Sequence, residues 1–176
     1  MAAIDVDGLK AKIRDVPDWP EKGIVFKDIM PLLADPEALK ETIDLLGDWA
    51  EERRPDVVIG GEARGFFIGS AIAYRLGCGF VPARRPGKLP LETISVEYAL
   101  EYGTNSLELQ ADAFKVGTRA LIHDDVLATG GTSKAMAELV EQLGGEVIGL
   151  NFIIELDFLN GREKIADYDV FSLIHY

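Results

Sequence analysis

Residues 120–132 read Ala-Leu-Ile-His-Asp-Asp-Val-Leu-Ala-Thr-Gly-Gly-Thr, and they bring several kinds of chemistry into one short span. An apolar run delivers two adjacent carboxylates, Asp124 and Asp125, as the end of a buried strand would. Four residues after Asp125 begins Thr129-Gly130-Gly131-Thr132, and a helical pattern follows. In open α/β sheets, ligands sit beyond the carboxyl ends of the strands. Glycines let backbone approach a ligand closely, and N–H groups at a helix start point outward. The hydroxyls of Thr129 and Thr132 add further donors, so the stretch Ala128–Thr132 suits one phosphate monoester. The carboxylates would repel that phosphate, so they must face something else. A ribose diol fits, because it donates hydrogen bonds to a carboxylate. The span therefore reads as a cradle for a ribose 5-phosphate. The competing reading is an ordinary strand-to-helix turn with the Asp pair as a cap. A nucleotide P-loop is excluded, since no Gly-Lys-Ser/Thr follows a glycine at the required spacing. Gly60-Gly61-Glu62-Ala63-Arg64-Gly65 lacks the spacing of a dinucleotide fingerprint.

An anion needs cations, and the charge distribution places some. The chain has 176 residues, with 18 basic and 30 acidic, for a net charge of −12. That balance argues against a general nucleic-acid binder and against docking on anionic membranes. The charge is uneven, however. Between Arg53 and Lys88 lie seven basic and two acidic residues, a local +5 that leaves −17 for the rest. Arg64 falls just past a candidate strand among glycines, and Arg84, Arg85 and Lys88 follow a second one. These are the candidate partners of a multiply charged phosphate.

The elements that would position these groups follow from periodicity. Asp35 can cap a helix over 36–53, with Pro36 at its first position and Leu39, Ile43, Leu46 and Ala50 on one face. Residues 56–59, 79–83, 106–110, 119–123, 146–155 and 170–175 read as strands, and 65–76 and 132–143 as helices. Strands alternating with helices predict an α/β fold, a central parallel sheet flanked by helices. Residues 84–104 carry Pro86, Gly87, Pro90 and Gly103 and read as a long connection. A short helix is expected over 5–14 and a turn over 18–23, and the first ~30 residues with those after 156 are expected to cap one end of the sheet. One domain is the default for this length. The single cysteine, Cys78, excludes an intrachain disulfide and is expected to be buried. No signal peptide or membrane span is legible, so the expected location is cytoplasmic.

Residues 120–132 resemble the phosphoribosyl-diphosphate signature of the type I phosphoribosyltransferases. Further segments resemble the adenine-using members of that family: Ile24-Val-Phe-Lys-Asp-Ile-Met-Pro-Leu-Leu33, Glu62-Ala-Arg-Gly-Phe66, Arg84-Arg-Pro-Gly-Lys-Leu-Pro90, Tyr98-Ala-Leu-Glu-Tyr-Gly103 and Leu159-Asn-Gly-Arg-Glu-Lys164. The resemblance spans essentially the whole chain. It implies a small N-terminal hood, to which residues 1–35 contribute, and a mobile active-site loop over 84–104. It implies transfer of a phosphoribosyl group from 5-phosphoribosyl diphosphate to adenine, giving AMP and diphosphate, with Mg²⁺ held mainly by substrate and a homodimer as the working unit. By the same resemblance Asp124, Asp125 and Ala128, Thr129, Gly130, Gly131 and Thr132 bind the ribose phosphate, and Arg64, Arg84 and Lys88 bind diphosphate. Arg84 is the candidate to reach across the dimer. Phe26 stacks on adenine, backbone at Val25 and Lys27 reads its edge, and Glu101 assists proton transfer at the base.

The chain departs from the family pattern at a few positions. Val96 stands where an aromatic residue is usual, Arg85 where lysine is common, Trp19 where phenylalanine is frequent, and His123 where an aliphatic residue is usual. Strand alternation turns His123 away from Asp124, so it is expected to be a packing residue. Two other functions share these motifs: a regulator that binds phosphoribosyl diphosphate without chemistry, and a transferase for another base.

Overall fold

The computed structural model describes residues 5–99 and 104–176. The chain falls into two compact units, one up to Leu45 and one from Leu46.

In the first unit, the Asp5 carboxylate caps α1 (Val6–Lys10) by accepting from Gly8 N at 2.8 Å. The helix expected over 5–14 stops there, because Arg14 already opens β1 (Arg14–Pro17). β1 pairs antiparallel with β2 (Val25–Asp28), with Val16 opposite Phe26. The intervening turn is held by Asp18 Oδ1, which accepts from Gly23 N at 2.7 Å. The short α2 (Met30–Ala34) is capped by Asp28 Oδ1 on Met30 N at 3.0 Å. Asp35 starts α3 (Pro36–Glu51) as expected, its Oδ1 accepting from Glu37 N and Ala38 N at 3.1 and 3.0 Å. The buried line along α3 is Ala38, Thr42, Leu46 and Ala50. Leu39 and Ile43, expected on that line, are only half-buried.

The second unit is built on five parallel strands in the order β4-β3-β7-β8-β9. These are β3 (Val57–Gly61), β4 (Gly79–Ala83), β7 (Arg119–Leu127), β8 (Glu146–Glu155) and β9 (Val170–His175), with α4 (Gly65–Leu76) between β3 and β4 and α5 (Gly131–Gln142) between β7 and β8. β3 is buried at every residue, as an inner parallel strand covered on both faces must be. On one face lie α4 and the end of α3; Asn151 Nδ2 of β8 donates to the Leu46 carbonyl at 3.3 Å. On the other, Ile59, Ile122 and Phe152 pack with Met136, Leu139 and Val140 of α5. Cys78, expected buried, is only half-buried after the left-handed Gly77 that ends α4.

Two stretches differ from the sequence-based expectation. Within 84–104, residues 93–99 form a strand, β5 (Thr93–Ala99), paired antiparallel with β6 (Thr104–Gln110). Val96 lies opposite Leu107, and both join the core on the α5 side. The pair is a separate two-stranded sheet, so β6 is not part of the parallel sheet. Second, β7 does not end before the Asp pair. Its pairing with β3 stops at His123, but its pairing with β8 continues to Leu127. After β8 the chain makes two 3₁₀ turns, Asp157–Leu159 and Gly161–Ile165, and then enters the sheet as the edge strand β9.

Candidate active site

A cavity of about 360 Å³ opens where β3 stops and β7 runs on. Asp124 and Asp125 line it, together with Arg64 and the loop from Ala128 to Ser133. Asp124 has room only because two neighbours lack side chains. A Cβ on Gly61 would lie 2.8 Å from its Oδ2, and one on Gly65 2.9 Å from its Oδ1. Its Oδ1 also accepts from Asp125 N at 2.9 Å. Asp125 Oδ2 pairs with Arg64 Nε at 2.8 Å. Burial drives the Asp124 carboxyl well above the usual aspartate range, and the adjacent Asp125 pushes the same way. Burial raises Asp125 as well, but Arg64 opposes it. One guanidinium thus faces two buried acids. At both carboxyls burial outweighs the Arg64 charge, a setting that favours hydroxyls or a cation brought by a ligand.

The loop that follows turns on Gly130, whose φ of 78° places it in the left-handed region. No side chain caps the start of α5, and its first turn carries no acid. Amides at such a helix start suit an anion, and the half-buried Thr129 and Thr132 line the same cavity. Ser133, which sequence reasoning did not single out, also lines it. Its position one residue into a helix from a Gly-Gly-Thr turn was the available signal.

Of the basic residues, Arg64 and Arg85 line the cavity, whereas Arg84 and Lys88 do not. Arg84 instead forms a fork with Glu62, Nε to Oε2 and Nη2 to Oε1 both at 3.2 Å. Glu62 Oε2 also accepts from Arg85 N at 2.8 Å. Burial alone would raise the Glu62 carboxyl, but the Arg84 guanidinium and the Arg85 amide outweigh it and hold the carboxyl below its ordinary range. Glu62 lay inside the sequence motifs without a role. An acid within the basic island was the signal that it would pair with one of the arginines. Lys88 is exposed, and its carbonyl accepts from Arg84 Nη1 at 3.3 Å. Behind the site, His123 is fully buried, with Nδ1 2.8 Å from Asn151 Oδ1. Asn151 spends its amide on Leu46, so His123 donates, and burial lowers the imidazole to about 4. It is a neutral packing residue.

The residues expected to read a base lie in the first unit. Val25, Phe26 and Lys27 are consecutive on β2. Phe26 meets Trp19 edge-on with ring centroids 4.4 Å apart, beside a cavity of about 290 Å³ that Val16 and Asp28 also line. Lys27 Nζ is 2.7 Å from Asp15 Oδ1. Glu101 lies outside the described residues. Among the described residues, no helix is long and apolar enough to cross a membrane.

Residues 31–175 match the phosphoribosyl transferase domain family. The chain is 54% identical over 170 residues to the adenine phosphoribosyltransferase of Koribacter versatilis, covering 97% of this chain and 93% of that one. Among solved structures it is similar to adenine phosphoribosyltransferase from Thermoanaerobacter pseudethanolicus, with a TM-score of 0.95 and 53% identity over 97% of this chain and 99% of the other. It is also similar to the Saccharomyces cerevisiae enzyme complexed with an imino-altritol bisphosphate and adenine, with a TM-score of 0.91 and 40% identity over 96% and 97% of the two chains.

Proposed function

We propose, from the premise that the chain belongs to the phosphoribosyl transferase family and within it to the adenine phosphoribosyltransferases, that it makes AMP and diphosphate from adenine and 5-phosphoribosyl diphosphate. The observation that carries this reading is one cavity lined by the Asp124–Asp125 pair, Arg64 and the 128–132 loop at the start of α5.

The loop amides and the hydroxyls of Thr129 and Thr132 bind the 5′-phosphate. Asp124 and Asp125 accept hydrogen bonds from the ribose hydroxyls. The cationic side of the cavity, Arg64 with Arg85, holds the diphosphate, Lys88 supplies further charge from the adjoining segment, and Arg84 supplies it to the diphosphate of the neighbouring protomer. Phe26 stacks on adenine while backbone at Val25 and Lys27 reads its edge. The bond from C1′ to the diphosphate oxygen breaks as the sugar gains cationic character, and adenine N9 forms the new bond to C1′. The electron pair of the broken bond leaves with the diphosphate. Glu101 handles the proton that adenine gives up. The Asp pair lies on the sugar side, where positive charge develops, so electrostatic placement supplies most of the acceleration.

Mg²⁺ suits this site as a companion of the substrate. Asp124 and Asp125 are hard oxygen donors of the kind Mg²⁺ takes, and the substrate's phosphates would supply most of its other ligands. When bound, it neutralises the leaving diphosphate. The same reading carries a homodimer, with Arg84 as the residue that reaches the neighbouring site, and a cytoplasmic location.

The deciding experiment is a steady-state assay with phosphoribosyl diphosphate, Mg²⁺ and each purine base in turn. AMP formed from adenine, with little product from hypoxanthine, supports the reading. Binding of phosphoribosyl diphosphate without any product would make the chain a ligand-binding regulator instead.

A further inference from the structure

The segment Leu159-Asn-Gly-Arg-Glu-Lys164 has no part in the roles above, yet it touches the 128–132 loop more closely than any side chain could. Asn160 is left-handed at φ 51° and leads into the 3₁₀ turn Gly161–Ile165. Gly161 is buried with its α-carbon against the loop. A Cβ at Gly161 would stand 2.1 Å from the Ala128 carbonyl oxygen and 2.9 Å from Gly130 N. In the reverse direction, a Cβ at Gly130 would stand 2.3 Å from the Gly161 carbonyl oxygen. Two backbones therefore meet back to back, and only glycine on both sides permits it.

The turn is itself anchored. Arg162 makes a forked pair with Glu155 at the end of β8, its Nε donating to Oε1 at 2.9 Å and its Nη2 to Oε2. Its Nη1 donates to the Val170 carbonyl at 3.0 Å, at the start of β9. Glu155 is 7% exposed, so the fork is well shielded on the acid's side. Leu156 N donates to the Leu127 carbonyl at 2.9 Å, which ties the end of β8 to the end of β7 just before the loop. The contact leaves the loop little room on the Gly161 side, and the Arg162 fork ties the turn to the end of β8 and the start of β9.

We infer that Gly161 is a positioning residue for phosphate binding: its bare α-carbon, held in place by Arg162 on Glu155, sets where the Ala128–Gly130 backbone presents its amides. The inference rests on the reading of that loop as the 5′-phosphate cradle. A methyl group at 161 must displace Ala128 or Gly130, and a displacement of about 1 Å can cost on the order of a hundredfold in a positioned contact. The phosphate is remote from the bond that breaks, so its contacts are similar in ground and transition states. Their loss appears in KM more than in kcat.

The test compares the full-length parent with Gly161→Ala and Arg162→Gln, after circular dichroism and thermal melts establish that each variant is folded. Gly161→Ala is expected to raise the KM for phosphoribosyl diphosphate and the Kd for AMP about tenfold or more, leave the KM for adenine unchanged, and keep kcat within a few-fold. Arg162→Gln is expected to shift the same two constants in the same direction by less. A folded Gly161→Ala variant whose AMP affinity stays within about twofold of the parent overturns the inference, as does an equal loss of affinity for AMP and adenine. If Gly161→Ala does not fold, Arg162→Gln decides, and an unchanged AMP affinity there overturns it. A parent protein that binds neither AMP nor phosphoribosyl diphosphate removes the underlying functional reading, a result separate from any difference between variants.

Discussion

Glu62 holds Arg84 in a two-point fork and, with the same carboxylate, takes the backbone amide of Arg85. Twenty-two residues separate Glu62 from Arg84, yet the pair joins the turn after β3 to the start of the segment that carries Lys88. Arg84, proposed above to meet diphosphate, is therefore paired with an acid of its own chain. Glu62→Gln keeps an oxygen to accept from Arg85 and removes the charge. We expect the variant to bind diphosphate more tightly, lowering its product-inhibition constant several-fold at low ionic strength, in line with roughly 1 kcal/mol for one partly screened charge. Unchanged or weaker inhibition by diphosphate would show that the fork does not compete with ligand.

Asp124 is raised by burial first and by Asp125 second, from an ordinary value of 3.8 in the unfolded chain. The folded state therefore binds this proton more tightly. Its contribution to stability falls as pH rises from 3.8 toward the folded value. Asp124→Asn removes that penalty. The ligand-free variant should melt higher than the parent near pH 8, by about 2–4 °C for each kcal/mol relieved, with the gap closing near pH 4. It should also lose affinity for phosphoribosyl diphosphate. A melting difference that does not change with pH would contradict the assignment.

Phe26 is half-buried and meets Trp19 edge-on, and it is the ring proposed above to stack on adenine. Stacking of a base on an aromatic ring contributes about 1–3 kcal/mol by alanine substitution. Phe26→Ala should therefore raise the KM for adenine about tenfold or more and leave that for phosphoribosyl diphosphate near the parent value. Steady-state kinetics with each substrate varied in turn checks this. A rise confined to phosphoribosyl diphosphate would displace Phe26 from its role.

Glu101 is assigned through the Tyr98-Ala-Leu-Glu-Tyr-Gly103 motif. General acid–base assistance contributes on the order of a hundredfold to ten-thousandfold. Glu101→Gln should lower kcat by about that range, change the KM values little, and remove one limb of the pH–rate profile. Full turnover in the variant would move proton transfer to another group and leave the reaction class intact.

What could be read along the chain was local. The strand 146–155, the helix 65–76 and the strand 79–83 match β8, α4 and β4 residue for residue. Each is a continuous apolar or helical run stopped by glycine or a polar turn, and such signals act within a few residues. The grouping of Asp124, Asp125 and Thr129–Thr132 around one cavity was legible for the same reason, since they are neighbours in sequence. The strand at 93–99 was less visible. Its alternation of Ile94, Val96 and Tyr98 sits between proline and glycine, and its pairing with β6 joins residues up to 17 apart in sequence, Thr93 with Gln110.

Other features depend on contacts that no short window contains. β7 runs past its carboxylates because β8 goes on pairing with it after β3 has ended. Glu62 pairs with Arg84, Arg64 with Asp125, and Gly161 backs the loop at Ala128 across separations of tens of residues. The sequence by itself determined the types of chemical groups and the elements that carry them. Only the tertiary structure decided which acid meets which base and which backbones touch, because charge pairing and close packing depend on distance in space rather than along the chain.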